Sequence, residues 1–372
     1  MRDYLSERSQ LIDASGIRKV FALAAQLKDP VNFSIGQPDF DVPDKIKAAA
    51  IKAIEDGFNR YSQTAGEQRL LQRIQKKVAA DYGWQSPNII VTSGVSGGLL
   101  LAFMATVNPG DEIIVADPYF VMYKHLVRML GGKCVFIDTY PDFKLPAEKI
   151  ARALTNKTKM IVLNSPANPT GAVYSKQEVQ AIAKLAQKHD LLVISDEIYE
   201  DFCYDSTCES IGRYYDGVLI LKGYSKSYAM TGWRMGYATA TDKLKPLMDK
   251  MNQIQQYTFV CAPTPFQIAA VEAMDMDMHQ YVDIYHKKRD RMVEGLKGKF
   301  EFARPGGAFY MFVKAPANYP NATAFVQKAI ENNVLIIPGN VFSEKDTHFR
   351  ISYATTDEKI EQGIKILNSL AG

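Results

Sequence analysis

The 372 residues are 47% hydrophobic and 23% charged, a soluble globular composition with room for two domains and a sizeable core. A net charge of +3, from 44 basic and 41 acidic residues interspersed along the chain, gives no reason to expect a nucleic-acid or membrane partner. The start, Met1-Arg2-Asp3-Tyr4-Leu5-Ser6-Glu7-Arg8, has no signal-peptide core and no apolar stretch reaches transmembrane length, so a cytoplasmic location is expected.

Along the chain, short apolar runs alternate with longer amphipathic segments, the pattern of an α/β sheet with right-handed crossovers. Ile89-Ile90-Val91 reads as a strand and leads through Ser93-Gly94-Val95-Ser96-Gly97-Gly98 into a helical run. Free N–H groups at such a helix start, with glycines permitting close approach, form an anion site at Val95 and Ser96. The next strand, Glu112-Ile113-Ile114-Val115, runs to Asp117-Pro118-Tyr119-Phe120, where an aromatic face either stacks on a flat ligand or packs the core. Met160-Ile161-Val162-Leu163 continues into Asn164-Ser165-Pro166-Ala167-Asn168-Pro169-Thr170-Gly171. Two prolines and a glycine fix that loop, so Asn168 either presents an amide donor or belongs to a plain turn.

Between residues 176 and 189, Val179, Ile182, Ala183 and Ala186 recur at helical spacing. Leu191-Leu192-Val193-Ile194 is then a strand ending at Asp196-Glu197-Ile198-Tyr199. A carboxylate at a buried strand end needs a cation or donor, unless Asp196 merely caps the next helix. The near-continuous apolarity of these runs suits a parallel sheet covered on both faces, whose ligands bind beyond the carboxyl ends of the strands. A long helical pattern covers 265–296, including His286-Lys287-Lys288-Arg289-Asp290-Arg291, read as a solvated face. The four cysteines, Cys134, Cys203, Cys208 and Cys261, lack metal-ligand spacing, so reduced thiols and no bound metal are expected.

The most informative segment is Gly223-Tyr224-Ser225-Lys226-Ser227-Tyr228-Ala229-Met230-Thr231-Gly232-Trp233-Arg234-Met235-Gly236, which follows the strand Val218-Leu219-Ile220-Leu221. A lysine beside a fixed positive charge in a confined site loses its proton more readily, and a neutral amine attacks carbonyls. The Arg234 fork suits a phosphate. Together they point to an aldehyde cofactor that carries a phosphate and is held on Lys226 as a Schiff base, which describes pyridoxal 5'-phosphate. Near the end, Arg350 lies in the apolar run Phe349-Arg350-Ile351-Ser352-Tyr353-Ala354 and needs an acidic partner, either an internal acid or a substrate carboxylate.

These motifs, in this order, resemble the class I/II aminotransferases of fold type I, and the likeness runs from about residue 15 to the C-terminus. The resemblance implies a large domain with a mainly parallel seven-stranded sheet flanked by helices, plus a smaller α+β domain. It divides the chain into an arm and part of the small domain (1–38), a large cofactor-binding domain (39–265) and a small C-terminal domain (266–372). It gives Asp196 the cofactor's pyridine nitrogen, and Tyr199 and Asn168 its phenolic oxygen. Phe120, with Tyr119 as the alternative, takes the ring face, and Arg350 with the Gly36 N–H takes the substrate α-carboxylate. Tyr61, in Asn59-Arg60-Tyr61-Ser62-Gln63-Thr64-Ala65-Gly66, would reach the phosphate of the neighbouring subunit in a homodimer. The sequence departs from the family pattern at Gly223, where many members carry a phosphate-binding hydroxyl that Ser225 would replace, and at Ala167, where asparagine is usual.

The expected activity is ping-pong transfer of an α-amino group from an amino acid, aspartate or aromatic/apolar, to a 2-oxo acid such as 2-oxoglutarate. A C–S β-lyase of the same fold shares the cofactor apparatus, and a sensor protein is a remoter alternative that lacks room for a DNA-binding unit. Arg18 and Arg60 are candidates for a second substrate carboxylate, whereas Tyr257 and Phe259 would favour apolar side chains.

Overall fold

Strand–helix units wrap one large sheet in the computed structural model, which describes residues 4–13, 16, 20, 27–85 and 87–372. After a two-residue strand, β1 (Val31–Asn32), come β2 (Asn88–Ser93), β3 (Glu112–Asp117), β4 (Lys133–Asp138), β5 (Thr158–Asn164), β6 (Leu192–Asp196), β7 (Val218–Gly223) and β8 (Met235–Ala240). Strands β2 to β8 form the seven-stranded sheet in the order β2-β8-β7-β6-β5-β3-β4, and β8 alone runs antiparallel to its neighbours.

The apolar runs are continuous because both faces are covered. Along β7, Leu219 and Leu221 pack with Leu99, Ala102 and Phe103 of the helix Gly94–Thr106 on one side. Val218 and Ile220 pack with Val179, Ile182 and Ala183 of the helix Lys176–Lys188 on the other. That second helix buries the four residues its spacing singled out, and Ser175 with Glu178 closes its start as a capping box. The strands that escape the apolar-run reading are β4, an edge strand opening on an exposed lysine, and β8, Met235-Gly236-Tyr237-Ala238-Thr239-Ala240, built largely of small residues.

A second, three-stranded sheet has the order β11-β12-β9, from β9 (Tyr310–Lys314), β11 (Ile337–Pro338) and β12 (His348–Ser352), all antiparallel. The short β10 (Val334–Leu335) pairs in parallel with β1. Val31 and Phe33 share a core with Phe309, Phe325, Phe349 and Ile351. Among the described residues no helix is long and apolar enough to cross a membrane.

Three expectations need correction. The helix expected over 265–296 is two, Thr264–Ala273 and His279–Leu296, parted by a short turn in which the Asp277 carboxylate accepts the His279 N–H at 2.9 Å. The basic run is not a solvated face throughout. Lys288 and Arg289 turn inward, the first against Asp39 and the second in a two-pronged pair with Asp205 at 2.7 and 2.8 Å. Cys203 and Cys208 are not thiols but a disulfide, brought together by a tight loop with Cα atoms 5.8 Å apart; Cys134 and Cys261 are free.

Gly236 fixes how closely β8 passes under the helix that starts at Gly94. A Cβ there would lie 2.8–2.9 Å from Gly94 C, Lys222 O and Val95 N, all backbone atoms that cannot swing aside. Gly236→Ala is therefore expected to lower unfolding stability by about 1–3 kcal/mol. Urea denaturation checks this, and an unchanged midpoint would show that the helix start yields freely.

Candidate active site

The carboxyl ends of β5, β6 and β7 lie side by side and open onto one cavity of about 280 Å³. Backbone and amide bonds hold those ends in step: Asn164 Nδ2 donates to Asp196 O at 2.9 Å, and Asn168 N to Asn164 Oδ1 at 3.0 Å. Glu197 N donates to Leu221 O at 2.9 Å, while Ser227 hydrogen-bonds Asp201, so the loop bearing Asp196 and Tyr199 is tied to the segment bearing Lys226.

One corner suits an anion. Gly94 has φ +66° and opens the helix Gly94–Thr106, leaving the N–H groups of Val95 and Ser96 at its first turn. Arg234, itself at φ +57°, is fixed by donation from Nη1 to Thr231 O at 2.8 Å. Its Nη2 would stand 2.7 Å from a Cβ on Gly94, so only glycine admits the guanidinium against the helix start. No carboxylate pairs with Arg234 among the described residues, and Ser225 lines the same cavity.

A second corner suits a carboxylate. Arg350, on β12 and 1% exposed, lies between the rings of Tyr310 and Phe342, with Cζ 4.7 and 4.6 Å from their centroids. Its Nη1 donates to Asn168 Oδ1 at 3.1 Å and Nη2 to Ser34 O at 2.7 Å, while Nε has no partner among the described residues. A buried guanidinium with neutral acceptors and an idle N–H is a charge awaiting an anion. Gly36 lies alongside, and its carbonyl accepts from Lys226 Nζ.

Between the corners stand Asp196 and Lys226. Burial pushes the Asp196 carboxyl up to about 6, although Tyr123 Oη, at 2.7 Å, and the Ile198 N–H both stabilise its charge. Asp196 makes no ion pair among the described residues. Burial, reinforced by Arg350 and Arg234, pulls Lys226 down to about 8, with Asp196 opposing. An amine with that value is neutral in part near physiological pH and can act as nucleophile or base.

Of the residues singled out from sequence, Gly36, Val95, Ser96, Phe120, Asn168, Asp196, Tyr199, Ser225, Lys226, Arg234 and Arg350 all line this cavity. Phe120 rather than Tyr119 faces it; Tyr119 is buried against Phe136 and donates to Glu344 at 2.6 Å. Tyr61 does not line it and is 83% exposed. Arg60 lines a separate surface groove, Tyr257 is exposed, and Phe259 packs behind the helix start near Gly97; Arg18 lies outside the described residues.

Sequence reasoning missed Tyr310, Asn164, Thr231, Leu99 and Ile198 in the cavity wall, and Tyr123 behind Asp196. Only Tyr310 carried a signal, since Gly306-Gly307-Ala308-Phe309-Tyr310 places an aromatic after two glycines.

With its amine brought down to about 8, Lys226 of the cofactor-free protein is expected to react faster as pH rises through that value, and to plateau well before exposed lysines do. Borohydride trapping of pyridoxal phosphate, followed by peptide mass mapping across pH, checks the order. Preferential capture on a surface lysine at every pH would contradict it.

Comparison with known proteins agrees with this geometry. The family described as Aminotransferase class I and II matches residues 28–367. A Methanocaldococcus jannaschii protein named "Probable aspartate aminotransferase" is 38% identical, over 98% of this chain and 99% of its own length. The "Aromatic-amino-acid aminotransferase 2" of Thermococcus litoralis is 32% identical over 97% and 96%. The solved structure of the Thermus thermophilus aspartate aminotransferase with maleate superposes with a TM-score of 0.94, at 35% identity and full coverage of both chains. From the lysine in its cavity to the whole-length match, the observations agree that this chain belongs to the class I/II aminotransferases, pyridoxal-phosphate enzymes of fold type I that act on amino acids and 2-oxo acids.

Proposed function

We propose that the protein transfers the α-amino group of aspartate or of an aromatic or apolar amino acid to a 2-oxo acid such as 2-oxoglutarate, in two ping-pong half-reactions. The observation that carries this reading is the partly deprotonated Lys226 set in one cavity with an unpaired carboxylate, Asp196, and an unpaired guanidinium, Arg350.

Three features support pyridoxal 5'-phosphate as the cofactor. The corner lined by Arg234 and the helix start would take its phosphate, with the Val95 and Ser96 N–H groups and Ser225 as further donors. Asp196, short of a cation, would hold the pyridine nitrogen in its protonated form. Tyr199 and Asn168 would face the phenolic oxygen and Phe120 the ring. When bound, the cofactor supplies an aldehyde carbon for the amino group and a ring that accepts the electrons of the Cα–H bond.

The chain's own residues then do the rest. Arg350 would grip the substrate α-carboxylate, with Nε free to complete a two-pronged contact, and the Gly36 N–H would assist. That grip fixes the orientation of the Cα–H bond relative to the cavity's flat ligand. Lys226 Nζ, freed from its covalent role, would take the proton from Cα and return it in the reverse half-reaction. Donor and acceptor both present an α-carboxylate, so one arginine serves them in turn. The exposed Tyr61 and Tyr257 support a second copy of the chain against this surface, with Tyr61 reaching the partner's phosphate site in a cytoplasmic homodimer.

Lys226→Ala is expected to remove both the cofactor's lysine-bound absorbance and all turnover; a transaminating variant would sink the assignment. Arg350→Ala is expected to lower kcat/KM about a hundredfold or more, since it deletes one partner of a buried charge-assisted pair. A panel of amino donors ranked by kcat/KM decides between acidic and apolar side chains, and pyruvate with ammonia formed without an acceptor would favour elimination instead.

A further inference from the structure

We propose that Tyr310 is a positioning residue for the transfer reaction, its hydroxyl donating to Tyr199 so that the Tyr199 proton is committed to the cavity. The inference rests on the reading above, in which Tyr199 faces the cofactor's phenolic oxygen.

Tyr310 opens β9, in the small sheet, and is 1% exposed. Its hydroxyl lies 2.8 Å from that of Tyr199, which belongs to the loop after β6 in the large sheet, and either atom can be the donor. Among the described residues this is the one hydrogen bond of the Tyr310 hydroxyl. The two rings meet edge to face, with centroids 5.6 Å apart and planes at 87°, so neither hydroxyl can swing away without repacking. Gly36 closes the other side: a Cβ there would lie 2.6 Å from Tyr310 Oη.

A hydroxyl has one proton. An acceptor placed in the cavity beside Tyr199 claims the Tyr199 proton, and the contact with Tyr310 then survives as a hydrogen bond only if Tyr310 supplies its own. Both groups are buried, so losing the bond would leave a polar atom with few alternative partners. Burial raises the Tyr310 phenol and keeps its proton in place to be donated, while the Arg350 guanidinium, 4.7 Å from the ring centroid, opposes that shift and polarises the O–H. Two hydrogen bonds in series polarise one another, so Tyr310 strengthens what Tyr199 can give. The relay also joins the carboxylate corner to the ring end of the cavity, because the ring that flanks Arg350 carries the hydroxyl that faces Tyr199.

Tyr310→Phe deletes the hydroxyl and keeps the ring against Arg350. A weaker Tyr199 donor leaves more negative charge on the phenolic oxygen, which holds the neighbouring proton to higher pH. In reconstituted enzyme the pH midpoint of the bound cofactor's absorbance change is therefore expected to rise by about a third of a unit, since a hydrogen bond in series strengthens its neighbour by about 10–30%. The loss in kcat/KM is expected to be about two- to threefold and to fall on kcat, with KM for the amino donor unchanged, because the Arg350 sandwich is intact. In a Tyr199→Phe background the same change should leave the midpoint where it was. A lowered melting temperature with an unshifted midpoint would mean a packing role only and would overturn the relay. A midpoint shift of full size in the Tyr199→Phe background would overturn the route through Tyr199. A wild-type protein with no titrating absorbance would instead remove the cofactor reading itself, and the relay with it.

Discussion

Two opposite charges held in one cavity without ionic partners among the described residues, Asp196 and Arg350, set the terms for everything around them. Each would be costly in an apolar interior, and each is made tolerable by fixed dipoles rather than by a counter-ion. Asp196 has the Tyr123 hydroxyl and the Ile198 N–H; Arg350 has the Asn168 and Ser34 oxygens and two aromatic faces. Charges stabilised in this way remain available to a ligand. They also act on Lys226 from opposite directions, and burial together with the arginines prevails, so its amine sits near neutrality's upper edge.

The two charges come from different sheets, so the site exists only while those sheets keep their mutual placement. Asp196 ends β6 and Arg350 lies in β12. Several contacts, each with one buried member, bridge the two regions. Asp39 joins Tyr285 and Lys288, Asp205 grips Arg289, and Cys203 bridges to the backbone at Gly307. Such pairs contribute little net stability, because desolvation offsets attraction, but a misplaced partner leaves a charge stranded. They act as registration marks. Lys222 has the same part beneath the site, where its buried amine meets Glu200, Glu197 and Asp81 four residues before Lys226. That cluster anchors β7 to the loop that carries Tyr199.

Glycines set the tolerances. Gly94 admits Arg234 against a helix start, Gly236 lets β8 pass beneath it, and Gly36 leaves room for the Tyr310 hydroxyl. Gly36 lines the cavity itself, while Gly94 and Gly236 act from behind it, and in each place a methyl group would push against a neighbour within 3 Å.

Much of this was legible in the chain. Apolar runs ending in polar residues announced β2, β3, β5, β6 and β7 and the side on which ligands bind, because a strand buried on both faces leaves only its end free for polar chemistry. Lys226, Arg234, Asp196 and Asn168 could be found because each interrupts such a local pattern. Strand β8 carried too little apolar periodicity to be seen, whereas β4 holds a readable apolar run, Cys134-Val135-Phe136-Ile137, that the sequence reading omits, and the break at 274–278 has no side-chain cap to announce it. The charged run at 286–291 misled because Asp39 and Asp205, which neutralise its buried members, are distant in sequence. By itself, then, the sequence determined the strand–helix order and the identity of the reactive lysine, since both are written in neighbouring residues. Only the tertiary structure decided that Tyr310 would meet Tyr199, that Phe120 rather than Tyr119 would face the cavity, and that Asp196 and Arg350 would lack ionic partners among the described residues. Those facts depend on which distant segments approach one another in space, and local periodicity carries no information about that.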